Sequence, residues 1–428
     1  MKTLKAVNPA RLTVLGQQSP EPGTKYVLNP CLIRDGTAFY NPLTEEAVLV
    51  EDEDKDRRAM VRRWFLVPEG FDMVSVAHLI RQRNLEALAK PSGVNSYTIF
   101  TTTVCNASCV YCFERGYKAM TMSDQTARDV AAFILKTRRN SQISIRWFGG
   151  EPLVNTRVMD LICSELQEKG VNFVSNITTN GDLLPDCSDE QIRLWRIRSA
   201  QFTLDDVGDE YDRIKGLKGA YERLEASIDR LARLGVHSSI RVHYDPEKGA
   251  EPCYRVADAM MKHKNLSMYC RILYGSETEK DYQAVLEFED YLIRNGLMRA
   301  KFPAASNGSH CMADRRQHAT IAPDGALSPC EHYAYGEHIY GSIYTRRQSG
   351  AILAKWGQKE KHVMTTCRSC PLYACCEKIV MCPAEGSCER GYRDYLIAQI
   401  RRALRRSEAP EVIRGATKEE LAAMCGVC

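Results

Sequence analysis

Between about residue 95 and residue 298 the chain alternates six times between a short β-type run and an amphipathic helical stretch, and this alternation limits the fold more than any other feature. The strand runs are SYTIFTTT, QISIRWF, VNFVSNITT, AQFTL, SSIRVHY and LSMYCRILY. Helices are expected after Ser123, over 157–169, near 190–196, over 221–234, near 254–263 and near 281–295. Ser123 is suited to cap the first, and Gly170 and Gly235 to end two others. In the 221–234 stretch Leu224, Ile228, Leu231 and Leu234 share one face. Strand–helix units in tandem imply a parallel sheet with right-handed crossovers. Six units are fewer than the eight of a closed barrel. The expected fold is therefore α/β, a partial (β/α)6 barrel, with its working edge at the C-terminal ends of the strands.

The flanks differ in character. Residues 1–92 read as a small α+β module: KYVLNPCLI and TAFYNPL are β-type runs parted by the Asp35-Gly36 turn signal. AVLVEDEDKD then runs into an acidic loop, followed by helical stretches around 60–66 and through VAHLIRQRNLEALA. Lys90-Pro91-Ser92-Gly93 reads as a linker. Residues 299–428 are rich in Cys, Gly and Pro until the helix GYRDYLIAQIRRALRR. Three segments result: 1–92, 93–298 and 299–428.

Charge narrows the function. Lys plus Arg is 58 and Asp plus Glu is 54, too even a balance for a nucleic-acid binder. No run approaches a membrane span and the N-terminus has no signal-type apolar core, so the expected location is the cytoplasm, away from any membrane. In that reducing compartment 18 cysteines point to metal or catalysis rather than to disulfides. Cys105, Cys109 and Cys112 fall within eight residues, and six more lie between Cys367 and Cys388. Cys31, Cys163, Cys187, Cys253 and Cys270 are scattered and read as small core residues.

The first group reads VCNASCVYCFERG, C-x3-C-x2-C directly after the first barrel strand. Three thiolates on one tight loop can hold three corners of a cubane iron–sulfur cluster and leave the fourth iron open. A structural zinc site wants a fourth Cys or His, which the loop does not supply. In this motif, with the aromatic Tyr111 before the last cysteine, the chain resembles the radical S-adenosylmethionine family over about 95–298. Gly149-Gly150-Glu151-Pro152 is similar to the family's GGEP motif, whose backbone and Glu151 are then expected to receive the cofactor's amino group. Thr178-Thr179-Asn180-Gly181 resembles the segment beside the cofactor, and Thr203 opens TLDD where SLDG is common. Arg241 matches a basic position that meets the cofactor carboxylate. The resemblance implies S-adenosylmethionine as cofactor, reductive cleavage to a 5′-deoxyadenosyl radical, and hydrogen abstraction from an unactivated C–H bond.

The C-terminal cysteines resemble the SPASM extension of such enzymes. Cys311, then Gly325-x4-Cys330, then Cys367, Cys370 and Cys376 follow its pattern, while Cys382 comes after five residues instead of three and Cys388 closes it. Two auxiliary 4Fe–4S clusters are implied, an inner one on Cys311, Cys330 and Cys382 and an outer one on Cys367, Cys370, Cys376 and Cys388. Cys375, water or a substrate thiolate stands open as the inner cluster's fourth ligand. Glu331, beside Cys330, takes the place of an Asp that removes a substrate proton in sulfatase-maturing relatives, and so is an acid/base candidate. Cys425 and Cys428 form a terminal C-x2-C, read as a redox-sensitive pair.

The resemblance points to a radical maturase of ribosomally made peptides, of sactipeptide or ranthipeptide type. Such an enzyme oxidatively installs a thioether or carbon–carbon crosslink in a precursor peptide. Residues 1–92 resemble winged-helix-like leader-peptide-recognition modules, and a flavodoxin- or ferredoxin-type protein is the expected one-electron reductant. A formylglycine-generating anaerobic sulfatase maturase is the alternative within enzymes. A non-catalytic zinc or iron–sulfur binding protein is the alternative outside them.

Overall fold

The computed structural model describes residues 1–89, 93–273, 278–302, 312–314, 317–333, 336, 338–345, 348–356, 365–376 and 390–408. Cys311, Cys382, Cys388, Cys425 and Cys428 lie outside the described residues. The chain packs as two compact units: one of residues 1–89, 300–314 and 358–428, the other of 90–299 and 315–357.

The first unit begins with β1 (Lys2–Lys5), α1 (Pro9–Leu15), β2 (Tyr26–Leu28), β3 (Ile33–Asp35), β4 (Ala38–Asn41), β5 (Glu46–Leu49), α2 (Glu53–Arg62), β6 (Leu66–Pro68) and α3 (Met73–Ala89). The antiparallel sheet has the order β1-β5-β4-β3, and β2 pairs with β6. The acidic run after β5 is not a loop, as the sequence suggested, but the first turn of α2. Asp52 caps that turn by accepting from the Asp54 and Lys55 amides, and Glu53, Asp54 and Asp56 sit where the helix dipole favours negative charge. Leu66, expected in a helix, instead starts β6. Phe39, Val48, Met60, Val61 and Phe65 close a core under this sheet.

The second unit holds the barrel strands β7 (Ser96–Phe100), β8 (Gln142–Phe148), β9 (Asn172–Thr178), β10 (Ile197–Leu204), β11 (His237–Tyr244) and β12 (Leu266–Ile272). All six pair in parallel and in sequence order, which is the partial barrel expected from the alternation. Between them run α4 (Asp124–Thr137), α5 (Thr156–Glu168), α6 (Asp189–Leu194), α7 (Gly208–Lys215), α8 (Ala220–Arg233) and α9 (Glu251–Met260), and α10 (Glu279–Arg294) follows β12. Strands β8 to β11 alternate: on β8, Ile143, Ile145 and Trp147 are buried while Ser144, Arg146 and Phe148 on the opposite face are half-buried, whereas on β7 Tyr97, Thr98, Ile99 and Phe100 are all buried. Ser123 accepts the Thr126 amide at 3.0 Å and so starts α4. Strands β13 (His318–Ile321), β14 (Ala326–Ser328) and β15 (Gly341–Ser342) extend the sheet past β7, β13 pairing in parallel and the next two antiparallel. At the turn between β13 and β14, Gly325 has φ +82°, and a Cβ there would meet Ile343 and Tyr344 carbons at 2.8 Å. A short helix α11 (Gly350–Trp356) follows.

The first unit is completed by α12 (Arg390–Glu408), which lies against β3, with Arg405 donating to Asp35 at 3.0 Å. Its Cys367–Cys376 loop packs into a core with Cys31, Leu43, Ala77 and Ile80 of the N-terminal segment. Buried Arg11 pairs with Glu45 at 2.8 Å and donates to the Ala374 carbonyl at 3.1 Å. Arg81 donates to the carbonyls of Tyr373 and Cys376, each at 3.1 Å. Cys163, Cys187, Cys253 and Cys270 are likewise buried in the barrel. No helix among the described residues is long and apolar enough to cross a membrane.

Candidate functional site

The loop with Cys105, Cys109 and Cys112 leaves the C-terminal end of β7 and is tied to the ends of the neighbouring strands. The Gly150 amide donates to the Thr102 carbonyl at 3.1 Å and the Glu151 amide to the Val104 carbonyl at 3.0 Å. This approach demands glycine. A Cβ on Gly149 would stand 2.2 Å from the Thr102 carbonyl oxygen, and one on Gly150 2.5 Å from that of Val104. Gly149 also sits at φ +141°.

Glu151 joins three strand ends. One carboxylate oxygen accepts from Thr179 Oγ1 at 2.8 Å and the Leu153 amide at 3.1 Å, and the other accepts the Asn180 amide at 2.8 Å. It is 1% exposed. Burial pushes its pKa up to about 7, against the pull of those three donors. With both oxygens engaged internally, Glu151 serves here as a strut between the Gly149-Gly150 turn and the Thr179-Asn180 turn. Asn180 Nδ2 then donates to Asn106 Oδ1 at 2.8 Å and lies 4.0 Å from the Cys105 sulfur.

The other side of the loop is fixed by Tyr111. Its hydroxyl donates to the Asp205 carboxylate and accepts from Lys215 Nζ at 2.6 Å. Asp205 also meets Lys215 at 3.2 Å and His243 Nδ1 at 2.8 Å. Burial alone would raise the Asp205 pKa, but the His243 hydrogen bond and the Lys215 charge hold it well below the usual carboxylate range. Burial and the Asp205 charge push the Tyr111 phenol far up, so it stays a neutral donor. Lys215 ends α7, and its carbonyl accepts the Ser108 amide at 2.8 Å. A Cβ on Gly216 would meet Ser108 Oγ at 2.1 Å, so this glycine also lets the loop come close.

Thr203 and Arg241 come together: Thr203 Oγ1 accepts from Arg241 Nε at 3.2 Å and Nη2 at 3.0 Å. Glu331 follows Cys330 on the extension of the sheet, with Arg146 at 3.6 Å. His332 stacks on Phe113 with centroids 4.3 Å apart, and its carbonyl accepts the Tyr117 hydroxyl at 2.9 Å. This puts the segment carrying Cys330 and Glu331 against the tail of the cysteine loop. Glu114, two residues past Cys112, is buried, and one of its oxygens makes no hydrogen bond. Burial, with the Glu331 and Glu151 charges adding to it, pushes its pKa up to about 7.

Of the expected residues, the structure therefore gathers Cys105, Tyr111, Gly149, Gly150, Glu151, Thr179, Asn180, Thr203 and Arg241 around the strand ends. Cys330 and Glu331 belong to the barrel unit, and Cys367, Cys370, Cys375 and Cys376 to the other. Partial desolvation pushes the Cys105 thiol up to about 12, and Glu151, Cys109 and Cys112 add to that rise. Among the described residues no three His, Cys, Asp or Glu side chains converge tightly enough to hold a single metal ion. Three soft thiolates on one loop, each free to meet a different iron, fit a cluster better than one ion. Sequence reasoning did not find Lys215, Asp205, His243 or Glu114. The two acids of TLDD were the one signal available for Asp205.

Comparison with known proteins bears on this site. Residues 99–257 match the model of the Radical SAM superfamily. The structure of anSMEcpe with bound AdoMet and Cp18Cys peptide superposes with a TM-score of 0.56 at 16% identity, covering 73% of this chain and 97% of that one. Streptococcus suis SuiB bound to precursor peptide SuiA gives a TM-score of 0.51 at 14% identity, covering 83% and 95%. By sequence, a GTP 3′,8-cyclase of Clostridium perfringens is 22% identical over 273 residues, 56% of this chain and 81% of the relative. An uncharacterized protein of Methanocaldococcus jannaschii is 27% identical over 103 residues, so the chain spans 35% of that relative's length.

Proposed function

We propose, from the premise that residues 99–257 form a radical SAM domain, that the chain is a peptide maturase that oxidatively installs a thioether or carbon–carbon crosslink in a precursor peptide. Cys105, Cys109 and Cys112 hold a 4Fe–4S cluster, and S-adenosylmethionine lies among Tyr111, Gly149, Gly150, Glu151, Thr179, Asn180, Thr203 and Arg241. When bound, these two groups supply a 5′-deoxyadenosyl radical able to take hydrogen from an unactivated C–H bond. The chain's own residues supply position. The Tyr111–Asp205–Lys215 set fixes the cysteine loop, Glu151 fixes the two turns facing it, and Arg241, braced by Thr203, meets the cofactor carboxylate. Cys311, Cys330 and Cys382, and Cys367, Cys370, Cys376 and Cys388, hold two auxiliary clusters suited to accept the second electron. Glu331 accepts the proton released in the oxidation. Residues 1–92 receive the leader, and a flavodoxin- or ferredoxin-type protein delivers the first electron.

The observation that carries this reading is the lacing of one cysteine loop to three neighbouring strand ends, through Gly150 to Thr102, Asn180 to Asn106 and Tyr111 to Asp205. The likeness to SuiB solved with its precursor peptide supports a peptide as substrate. The test is anaerobic: reduced, reconstituted enzyme is incubated with S-adenosylmethionine and a co-expressed precursor. It should release 5′-deoxyadenosine and a product lighter by two hydrogens. Cofactor cleavage with a product of unchanged mass would indicate epimerisation. The likeness to anSMEcpe, covered over 97% of its length, supports a second reading, a sulfatase maturase. Conversion of a Cys- or Ser-containing sulfatase peptide to formylglycine would select it.

A further inference from the structure

Building on the reading in which Cys367, Cys370 and Cys376 serve the outer auxiliary cluster, we propose that Arg11 donates through Nη1 to a sulfur of that cluster and so raises its reduction potential. Arg11 stands on α1 and is 1% exposed. Its Nε donates to Glu45 Oε1 at 2.9 Å, and Nη2 meets the same oxygen at 2.8 Å. Nη2 also donates to the Ala374 carbonyl at 3.1 Å, which fixes the guanidinium beside the peptide unit that leads into Cys375 and Cys376. Nη1 is buried and has no hydrogen-bond partner among the described residues. A charged donor with unused N–H groups thus sits on the cysteine loop, whose Cys367 and Cys376 pack in a core with Leu43, Ala77, Ile80 and Tyr373.

The backbone of the loop is already engaged. The carbonyls of Cys367, Cys370 and Leu372 accept the amides of Cys370, Tyr373 and Cys375. Those of Tyr373 and Cys376 accept Arg81 Nη1, each at 3.1 Å, and that of Ala374 accepts Arg11 itself. What metal binding adds here is sulfur, as thiolates and bridging sulfides, and these are anionic acceptors that suit a buried guanidinium. A charged donor left unmet in an apolar core is destabilising, and this one is matched once the cluster is in place. Glu45 balances the guanidinium charge, so the pair offers the cluster a directed hydrogen bond rather than a net charge. Such a bond stabilises the reduced, more negative state, and apolar surroundings strengthen it. In turnover the cluster is reduced by the single electron that the substrate radical gives up. The proton released goes to the base, and the guanidinium keeps its own throughout.

The test uses the full chain, expressed with heavy-nitrogen arginine and reconstituted anaerobically with iron and sulfide. The outer cluster's paramagnetic signal after dithionite reduction is the one that Cys370→Ser removes. Pulsed hyperfine spectroscopy of that signal should show a guanidinium nitrogen in the parent and lose it in Arg11→Lys, whose amine carries no label. Mediated redox titration then compares the parent with R11M/E45Q. That variant removes both charges together, so the net charge is kept, and Met fills the space without a donor. Its outer cluster should be about 10-fold harder to reduce, a fall of about 59 mV, while the cluster on Cys105, Cys109 and Cys112 keeps its potential. A coupling absent from the parent, or one that persists in Arg11→Lys, overturns the proposal, as does a potential in R11M/E45Q within about 2-fold of the parent's equilibrium. If R11M/E45Q loses its iron, the hyperfine result decides alone. Iron content and spectra unchanged by Cys370→Ser would remove the outer cluster itself, and with it both this proposal and that part of the functional reading. An outer cluster indifferent to Arg11, in an enzyme that still crosslinks its precursor, refutes the hydrogen bond and leaves the maturase reading intact.

Discussion

The ammonium of Lys215 donates to the Tyr111 hydroxyl at 2.6 Å, joining the end of α7 to the residue just before Cys112. Both side chains are largely buried, and Asp205 completes the set. Removing one member of a buried ion pair strands the other, at a cost of about 3–5 kcal/mol, more than the pair itself contributes. Lys215→Met should therefore lower urea-unfolding stability by that order and reduce the iron retained after anaerobic gel filtration. Adding Asp205→Asn should recover part of the stability. A single variant as stable and iron-rich as the parent would remove this anchor from the account.

The Gly149-Gly150 turn makes a second, steric prediction. Alanine at position 150 forces a methyl group to within 2.5 Å of the Val104 carbonyl oxygen, so turn and cysteine loop must separate. Such overpacking costs about 1–3 kcal/mol. Gly150→Ala should weaken S-adenosylmethionine binding by at least about 10-fold in equilibrium dialysis, the equivalent of about 1.4 kcal/mol. Gly350→Ala, where an added Cβ meets nothing within 4 Å, is the control and should leave binding unchanged.

Much of this was legible in the sequence, because barrel strands carry their evidence locally. QISIRWF coincides with β8, and the alternation of buried and half-buried side chains along it is the one written in its apolar residues. Helix α7 was not legible. GDEYDRIK has too few apolar residues to show a period, yet Tyr211, Ile214 and Lys215 are its buried face. The acidic run at 52–56 looked like a loop because charge was read as exposure, when it marks a helix start. Nor does any local pattern reveal that Arg11 and Arg81 grip the Tyr373–Cys376 backbone, since those contacts span about 290–360 residues of chain.

Glu151 predicts a pH dependence. Its carboxyl titrates near 7 when folded, against an ordinary value of 4.5. Between those values the folded protein holds a proton that the unfolded chain has released, so this group makes stability fall as pH rises from about 4.5 to about 7. The drop is on the order of 3–4 kcal/mol if the shift is fully expressed. Glu151→Gln removes the titration. Anaerobic urea melts at pH 5.5 and 7.5 should show a shallower slope for the variant, although its amide, facing the Asn180 N–H, lowers stability at both pH values. Parallel slopes would show that Glu151 titrates normally.

Glu331 offers a test that separates radical formation from the oxidation that follows. It stands on the extension of the barrel sheet next to Cys330, 3.6 Å from Arg146, and the Phe113–His332 stack and the Tyr117 bond to the His332 carbonyl press that segment onto the cysteine loop. None of these contacts involves Gly149, Gly150, Thr179 or Arg241. If it takes the substrate's proton, Glu331→Gln should leave 5′-deoxyadenosine release within about 2-fold of the parent while lowering modified peptide by about 100-fold, a general-base contribution of ordinary size. Glu331→Asp should restore part of the product, because the carboxylate survives but is drawn back by one methylene. Liquid chromatography of deoxyadenosine and mass spectrometry of peptide from the same reaction give both numbers. Equal losses of both would assign Glu331 to the packing of the cysteine loop, and equal retention of both would leave the proton to another base.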